Sequence, residues 1–271
     1  MRSGAGRLTG VLGLTVALAA APAALSVGTA GAQDMMRGVD LSSPDMTTAE
    51  MTRSEVEAML KAAPAGHGAD FSGRRLSGLD LSGLDFSGAT LRAARLNHAN
   101  LSHARLNAAV LDQAWALGAD FVDASLVEAS LFATQMAGAR LDGADLSRAR
   151  VGADFTGARL IGARLEKADC GADLKNQSMG LMRAVFKSAD LSRTDFAGAD
   201  LTLADLRFAK LPSADLSDAI LRKADASGAD LRGARFTGAD VSGLDLDSAR
   251  IDAAAVPELA GAINLNRAFR E

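Results

Sequence analysis

The sequence predicts an all-β solenoid, a fold in which one short structural unit is stacked many times. Three observations support this prediction. A large apolar residue, here called the centre, recurs every five residues over most of the chain from Phe71 onward. Alanine usually stands two positions before the centre, as Ala99 does before Leu101. Apolar residues form 48% of the chain but aromatic residues only 4%, so we expect a core of small repeated side chains.

The repeat can be followed through 37 centres. They form four groups, which run from Phe71 to Val151, from Phe155 to Cys170, over Leu174 and Leu181, and from Phe186 to Ile251. A period of five fits neither the helical period of 3.6 nor the strand period of two. Two inward residues separated by one outward residue, and then followed by turn-forming residues, describe a short strand and a corner.

Individual units such as Ala69-Asp70-Phe71-Ser72-Gly73 and Ala144-Asp145-Leu146-Ser147-Arg148 follow the pattern Ala-(Asp/Asn)-Leu-X-X. In this pattern the chain resembles the pentapeptide-repeat family over roughly 69–253. The resemblance implies a right-handed quadrilateral β-helix in which four units form one coil. The units would then form about nine coils, stacked at the usual strand spacing of about 4.8 Å.

The two ends of the repeat carry predicted caps. Residues 33–68 are expected to contain a linker and an N-terminal capping helix. The capping box that begins at Thr52, followed by apolar residues at helical spacing, predicts that this helix spans 52–63 and covers the first coil. Residues 69–253 form the β-helix and 254–271 a short C-terminal cap, in which Pro257 is expected to begin a helix.

Apolar residues in the C-terminal cap have two predicted uses. Ile263, Leu265 and Phe269 either close the last coil or contact a second subunit. A homodimer through the C-terminal cap is therefore one expectation.

Residues 1–32 have the composition of a secretory signal peptide. Arg2 and Arg7 precede an uncharged apolar run over 8–25, and the small residues 30–32 suit a cleavage site. A membrane anchor is the alternative, which the Gly and Pro residues within the run disfavour. We expect a periplasmic or secreted protein without a membrane span after cleavage near Ala32. The mature chain would keep 27 basic and 33 acidic residues, a net charge of −6.

The repeat changes register in the middle of the chain. One residue is missing at Gly152/Ala153 and another at Gly171/Ala172, and about two are added over Lys175, Asn176, Gln177 and Ser178. Because these changes cancel, the units after Ala184 keep the same five-residue register as the units before Val151. We expect 171–183 to bulge from a regular face, which makes Lys175–Ser178 a candidate site.

Large apolar residues at outward positions provide a second candidate site. The predicted partner contact consists of Trp115, Leu117, Val122, Val127 and Phe132. Exposed aromatic residues on a polar surface are typical of an interface. The alternative is local repacking around Ala116, an undersized centre, and the sequence leaves both open.

No catalytic, cofactor or metal site is predicted. Cys170 stands at a centre position and is expected to be a buried hydrophobic residue, while His98 and His103 lack converging ligand partners. Stacking at intervals of about 20 residues would place carboxylates in ladders, and whether these bind cations such as calcium stays open. The two predicted ladders are Asp154, Asp173, Asp195 and Asp215, and Asp205, Asp225 and Asp245.

These observations predict a non-enzymatic scaffold that binds an unidentified protein or envelope partner and no nucleic acid. The family resemblance implies an alternative, because some pentapeptide-repeat proteins mimic duplex DNA, bind type II topoisomerases and confer quinolone resistance. A signal peptide and a net charge of −6 argue against that alternative, since duplex DNA carries one charge per about 1.7 Å.

Overall fold

Parallel pairing between residues twenty positions apart organises the chain. The computed structural model describes residues 38–64, 68–172 and 182–271, which belong to one compact unit. The residue before each centre, called the pre-centre residue, pairs with the pre-centre residue four units later, as Asp70 does with Thr90. Four units therefore complete one coil with four faces. We number the faces 1 to 4 from their first pre-centre residues, which are Asp70, Arg75, Asp80 and Asp85.

Backbone hydrogen bonds hold each coil to the next and close each corner. The N–H of Leu101 donates to the carbonyl of Asp120 in the following coil at 2.6 Å. At the corner, the N–H of Ala104 donates to the carbonyl of Leu101 at 3.1 Å. The same bonds recur from coil to coil, so the strands of a face form a continuous parallel ladder although each is only a residue or two long.

The corners depend on one residue in the left-handed region of backbone conformation. Each unit ends with a first and a second corner residue, such as Ser72 and Gly73. The second corner residue has a positive φ, which is 67° at Gly73 and 56° at His103. Glycine adopts this conformation without steric cost, while other residues accept a penalty. This requirement explains why Gly so often occupies the fifth position of the repeat.

Centres and the preceding alanines fill the interior. Leu101 and Ala104 have no exposed surface, and nearly all their counterparts are equally buried. The interior also contains the undersized centres Ala116 and Cys170. Phenylalanine centres pack in pairs, as with the rings of Phe155 and Phe186, whose centroids are 5.2 Å apart in stacked geometry. Burial of each Leu centre contributes about 1.5–3 kcal/mol.

An N-terminal segment covers the first coils. It contains the short helix α1, Pro44–Thr47, and the helix α2, Arg53–Ala62. The predicted capping box forms, since the Glu55 N–H donates to the Thr52 hydroxyl and the Thr52 N–H donates to the Glu55 carboxylate. Val56 of α2 is completely buried in the core, and Arg53 donates to the carbonyls of Asp80 and Ser82. The predicted N-terminal helical cap is confirmed.

The C-terminal cap differs in detail from the prediction. Short 3-10 helices span Ala253–Ala255 and Leu265–Arg267, and strand β1, Arg250–Ile251, pairs in parallel with strand β2, Phe269–Arg270. The helix predicted to begin at Pro257 is wrong, because this segment consists of turns that place Leu259 in the core. The chain continues the coil geometry here, since Asp245 pairs with Ile263.

The register changes are only partly as predicted. Gln135 pairs with Asp154, an offset of 19, so one residue is missing at Gly152 as expected. The second predicted deletion, at Gly171, is wrong, because the Ala172 N–H donates to the Thr202 carbonyl as other second corner residues do. The next pairing, Asp154 with Val185, has an offset of 31. Eleven residues, 173–183, are therefore inserted between Ala172 and Ala184.

The insertion changes how two centres are interpreted. Leu174 and Leu181 lie outside the described residues. However, Asp169 belongs to face 1 and Val185 to face 2, and these are consecutive faces. No ladder position remains for the two extra units predicted at Leu174 and Leu181. The predicted five-residue register after Ala184 is nevertheless correct. The insertion of eleven residues and the deletion of one add ten residues in total, which is two whole units.

We predict that replacing the capping residue of α2 loosens the N-terminal cap measurably. Thr52→Ala removes the acceptor for the Glu55 N–H and should lower the free energy of unfolding by about 1 kcal/mol. Chemical denaturation followed by circular dichroism provides the measurement. Thr48→Ala is the matched control, since Thr48 ends α1 with a backbone bond alone. Equal losses in the two variants would contradict a specific role for the capping box.

Candidate functional site

The pre-centre aspartates bind their own corners. Asp70 Oδ1 accepts hydrogen bonds from the Ser72 hydroxyl at 2.6 Å and from the Ser72 N–H at 2.9 Å, and these bonds hold the pKa of Asp70 below its ordinary value. Many further units repeat the backbone bond, in which the N–H groups of Ser147 and Ser227 donate to Asp145 and Asp225. Aspartate in this position therefore stabilises the corner.

Apolar corners that lack a pre-centre carboxylate use a different acceptor. The N–H groups of Leu117, Val127 and Phe132 cannot bind a pre-centre carboxylate, because Trp115, Ser125 and Ser130 precede their centres. Side-chain oxygens of the preceding coil replace it. Asn97 accepts from Leu117 at 3.0 Å, Asn107 from Val127 at 3.2 Å and Asp112 from Phe132 at 3.2 Å. Sequence analysis missed this exchange, although an Asn or Asp twenty residues before an apolar corner was a visible signal.

The five residues of the predicted partner contact do not form one patch. Trp115 lies on face 2 between Arg95 and Gln135, and Leu117 occupies the corner of the same unit. Val122, Val127 and Phe132 occupy the corners that follow on faces 3, 4 and 1, a quarter of a coil apart. All five side chains are half-buried. The structure thus brings together Trp115 and Leu117 and separates the others around the coil.

Phe132 instead lines a groove along the corner of face 1, here called the face-1 groove. Its volume is about 690 Å³, and its residues belong to five successive coils from Phe132 to Arg222. At strand spacing this corresponds to a length of roughly 19 Å. The shortened corner at Gly152 and the glycine at 171 create the depression, because neither has a side chain to fill it.

The walls of the groove combine apolar and charged groups. The Arg150 guanidinium lies over the Phe132 ring, 4.3 Å from its centroid. Asp200 lies over Gly171 and accepts the Thr202 N–H at 2.8 Å. The remaining lining residues are Asp169, Ala172, Met182, Leu203, Arg222 and Lys223. The groove can therefore contact both apolar and ionic groups of a ligand.

The described residues on either side of the predicted bulge line this groove. Lys175, Asn176, Gln177 and Ser178 lie outside the described residues, so their role stays a prediction. Ala172 and Met182, the described residues nearest to them in the chain, both line the face-1 groove.

The carboxylate ladders are interrupted by cations. Asp205, Asp225 and Asp245 do stack on face 2, but Arg207 bonds Asp205 and lies 3.7 Å from Asp225. Burial raises the pKa of Asp205, and the hydrogen bonds and charge of Arg207 outweigh burial and keep that pKa below its ordinary value. Asn264 donates to Asp245 at 2.8 Å. This ladder is thus held by side chains of the protein.

The other predicted ladder does not form as expected. Asp154 pairs with Val185 on face 2, whereas Asp195 and Asp215 pair on face 4, and Asp173 lies outside the described residues. On face 4, Arg235 bonds Asp215 at 3.0 Å. Within the described ranges, no group of three or more His, Cys, Asp or Glu residues could hold a metal ion.

The cysteine and histidines occupy structural positions. Cys170 is fully buried, and burial raises the pKa of its thiol well above the ordinary value, with a further contribution from Asp169 and Asp200. His98 and His103 are second corner residues of different faces, and His103 Nδ1 lies 3.8 Å from Asp123. No helix in the described part of the chain has the length and apolar character needed to cross a membrane.

Three large apolar side chains of the described residues expose more than half of their surface. They are Phe208 at 60%, Phe269 at 60% and Ile263 at 51% of their surface. Ile263 and Phe269 belong to the C-terminal cap. Phe208 was missed by sequence analysis because it follows the centre Leu206 at a corner, where the repeat pattern allows any residue.

Comparisons with known proteins identify the architecture. The family model described as pentapeptide repeats matches in eight copies over residues 67–102, 104–148, 151–176, 181–218 and 214–251. One similar crystal structure is that of HetL, a pentapeptide repeat protein involved in regulation of heterocyst differentiation in the cyanobacterium Nostoc sp. strain PCC 7120. The sequence of HetL is 30% identical to this chain. That alignment covers 82% of this chain and 95% of HetL, with a TM-score of 0.66.

A weaker match is the trypsin-treated form of QnrB1, a plasmid-mediated fluoroquinolone resistance protein. It is 14% identical, covers 77% of this chain and 92% of QnrB1, and has a TM-score of 0.46, which is too low to support an argument about function. A comparison with curated protein sequences finds no match. The family match, the likeness to HetL and the four-sided coils establish that this chain belongs to the pentapeptide-repeat family and folds as the predicted right-handed quadrilateral β-helix.

Proposed function

We propose that this protein is a non-enzymatic scaffold, exported to the periplasm or the cell exterior, that binds a protein or envelope partner. The observation that carries the proposal is the face-1 groove, a concave site of about 690 Å³ on an otherwise regular solenoid. Ligand sites commonly have volumes of about 300–1,000 Å³ and combine apolar walls with a few polar groups. Export is supported by the composition of residues 1–32.

The polar side chains of the coils form hydrogen bonds and ion pairs within the protein, which supports a role as a scaffold. Pre-centre carboxylates accept hydrogen bonds from corners, and arginines join carboxylates of neighbouring coils, as Arg140 does with Asp120 at 2.9 Å. Asn107 and Asp112 bind the N–H groups of apolar corners. These polar groups bind other parts of the protein and hold the coils together. We therefore expect a partner to be recognised through the shape and charge of the surface.

The topoisomerase-binding alternative has less support. A mimic of duplex DNA needs a dense and unneutralised negative surface, because DNA carries one charge per about 1.7 Å. On the described coils, arginines of neighbouring coils form ion pairs with Asp120, Asp215 and Asp240. The net charge of the surface is therefore far lower than that of the phosphate backbone.

We predict that the mature protein begins near Gln33 and is found outside the cytoplasm. The positively charged, apolar and small-residue regions of 1–32 are the features that export machinery and signal peptidase use. Cell fractionation followed by N-terminal sequencing measures both properties. An uncleaved cytoplasmic chain that protects a type II topoisomerase from a quinolone in a supercoiling assay would contradict export and favour the alternative.

We predict that filling the face-1 groove weakens partner binding without unfolding the coil. A Cβ added to Gly152 would lie 3.4 Å from Phe132 Cδ2, an ordinary contact, so Gly152→Leu should occupy the groove at little cost. Proteins retained by the immobilised chain are compared for the wild type and the variant.

Ala137→Leu is the matched control for this experiment. Ala137 occupies the equivalent first corner position on face 2, outside the groove. We expect loss of the retained partner with Gly152→Leu and retention with Ala137→Leu, while both keep the thermal midpoint of the wild type. Equal retention by both variants would reject the groove as the binding site.

The C-terminal cap supports association of two chains. Ile263 and Phe269 expose 51% and 60% of their surface at the last coil. Strand β2 pairs with β1, and no other described residue pairs with its outer edge. An open edge beside exposed apolar residues is a template for pairing with a second chain. We therefore propose a homodimer formed through this cap.

We predict that Phe269→Asp converts a dimer into a monomer. The substitution places a charge in the apolar contact while leaving the core intact, because Phe269 is exposed in the single chain. Sedimentation velocity at micromolar concentration measures the change. Phe208→Asp is the control, since Phe208 is equally exposed but lies on the coil wall. A monomeric wild type at these concentrations would disprove the dimer.

A further inference from the structure

Two glycines in neighbouring coils, Gly152 and Gly171, occupy the first corner position of face 1. The pairing of Arg150 with Asp169 places these two corners directly one above the other. Every other first corner residue of the described units, from Ser72 to Asp252, has a side chain. Both glycines line the face-1 groove. The main chain is therefore uncovered at this one place on the coils.

The fold itself does not require glycine at either position. Neither residue has a positive φ, unlike the glycines at the second corner positions. A Cβ added to Gly152 would lie 3.4 Å from Phe132 Cδ2, an ordinary contact. A Cβ added to Gly171 would lie 2.9 Å from Asp200 Oδ1, which is the end of a flexible side chain. Glycine that the backbone conformation does not demand is typical of places where a ligand approaches the main chain closely.

The N–H of Gly152 has lost both kinds of acceptor that first corners use. In many units this N–H donates to the pre-centre carboxylate of its own unit or to an Asn or Asp of the preceding coil. For Gly152 these two positions hold Arg150 and Phe132, whose side chains have no acceptor oxygen. Among the described residues, none accepts a hydrogen bond from the Gly152 N–H. An unpaired donor at a buried residue is unfavourable unless a ligand satisfies it.

The carbonyl of Gly171 has lost its donor for a related reason. In the neighbouring coils of face 1, this carbonyl accepts from the second corner residue of the preceding coil, as the Gly152 carbonyl accepts from the Ala133 N–H at 2.9 Å. The coil before Gly171 has no second corner residue, because Gly152 is followed directly by Ala153. No residue in the described ranges replaces this donor. The one-residue deletion thus leaves a donor and an acceptor unpaired in adjacent coils.

An extended peptide matches this pair of groups. In an extended chain, the N–H and C=O of one residue point to the same side and bond a neighbouring main chain, as they do in a β-ladder. The groove spans five coils, or roughly 19 Å, which is the length of about six extended residues. At one end the Phe132 ring, with the Arg150 guanidinium 4.3 Å from its centroid, provides an apolar surface for a side chain of the peptide.

We propose that the face-1 groove binds an extended peptide segment of a protein partner through main-chain hydrogen bonds. One residue of the segment donates its N–H to the Gly171 carbonyl and accepts from the Gly152 N–H. This role rests on the proposed binding function and specifies the chemistry that the groove recognises. In such complexes the main-chain bonds provide affinity, while contacts such as those at Phe132 select the side chains.

Peptide selection with purified full-length chain tests the proposal. Phage-displayed random peptides of about twelve residues, twice the length of the groove, are selected on the wild type after depletion on Gly152→Leu, which fills the groove. Each main-chain N–H of a selected peptide is then replaced in turn by N-methyl. We expect one of these replacements to weaken binding about tenfold, because it removes the donor to the Gly171 carbonyl.

A small substitution in the groove tests the same contact from the side of the protein. Gly152→Ala adds one methyl group and should weaken the selected peptides about tenfold, because it holds the peptide main chain away from the groove floor. Ala137→Ser, which adds one atom at a first corner outside the groove, is the matched control and should bind as the wild type does. In NMR spectra, peptide binding should move the Gly152 amide proton to lower field and leave that of Ala137 unchanged.

The thermal midpoint of Gly152→Ala separates a binding role from a structural one. The added Cβ makes an ordinary contact and alanine restricts the unfolded chain, so the midpoint should stay equal or rise. A lowered midpoint would mean that the fold itself requires glycine here and would overturn the inference.

The remaining outcomes distinguish the peptide site from the proposed function. Peptides that tolerate N-methylation at every position, or that bind Gly152→Ala as tightly as the wild type, overturn main-chain recognition but leave the groove as a binding site. Failure to select any peptide that distinguishes the wild type from Gly152→Leu also overturns it. The scaffold function then still stands if a protein retained by the immobilised wild type is lost with Gly152→Leu, and it fails at this groove if that protein is kept.

Discussion

Every coil must satisfy its backbone hydrogen bonds through the coils on either side, and this constraint governs the rest of the structure. A strand of one or two residues has no stability of its own, so each pre-centre residue needs a partner about twenty residues away. Each corner must then make a quarter turn of the coil within two residues. This forces the second corner residue into the left-handed region of backbone conformation. The five-residue period and the preference for glycine both follow from this geometry.

Side chains outside the core are selected by the same requirement. In many units the N–H of the first corner residue has a side-chain acceptor, which is either the pre-centre aspartate or an Asn or Asp of the preceding coil, as Asp70 and Asn107 illustrate. This exchange frees the pre-centre position for other residues, such as Trp115 and Ser125. Variation in the repeat is therefore compensated one coil away, and a unit cannot be interpreted without its neighbour.

The fold could be predicted from the sequence because every unit has the same packing requirement, so the same residue pattern recurs many times. Prediction was weaker where the repeat stops. Leu174 and Leu181 satisfy the pattern of centres, yet the pairing of Asp154 with Val185 leaves them no place, since only long-range pairing distinguishes a unit from an insertion. The candidate site was harder still. Phe132 was named, but its groove depends on Gly152 and on residues from five coils, and Phe208 stands at a position where the pattern allows any residue.

The two ends of the β-helix are closed differently, and this has a consequence for assembly. Helix α2 seals one end by burying Val56 and binding the first coils through Arg53, whereas the other end presents β2 and exposed apolar residues. A stack of parallel strands with two open ends could add further chains without limit. With one end blocked, growth must stop once two open ends have met, so the polarity of the chain favours a closed pair over a fibre.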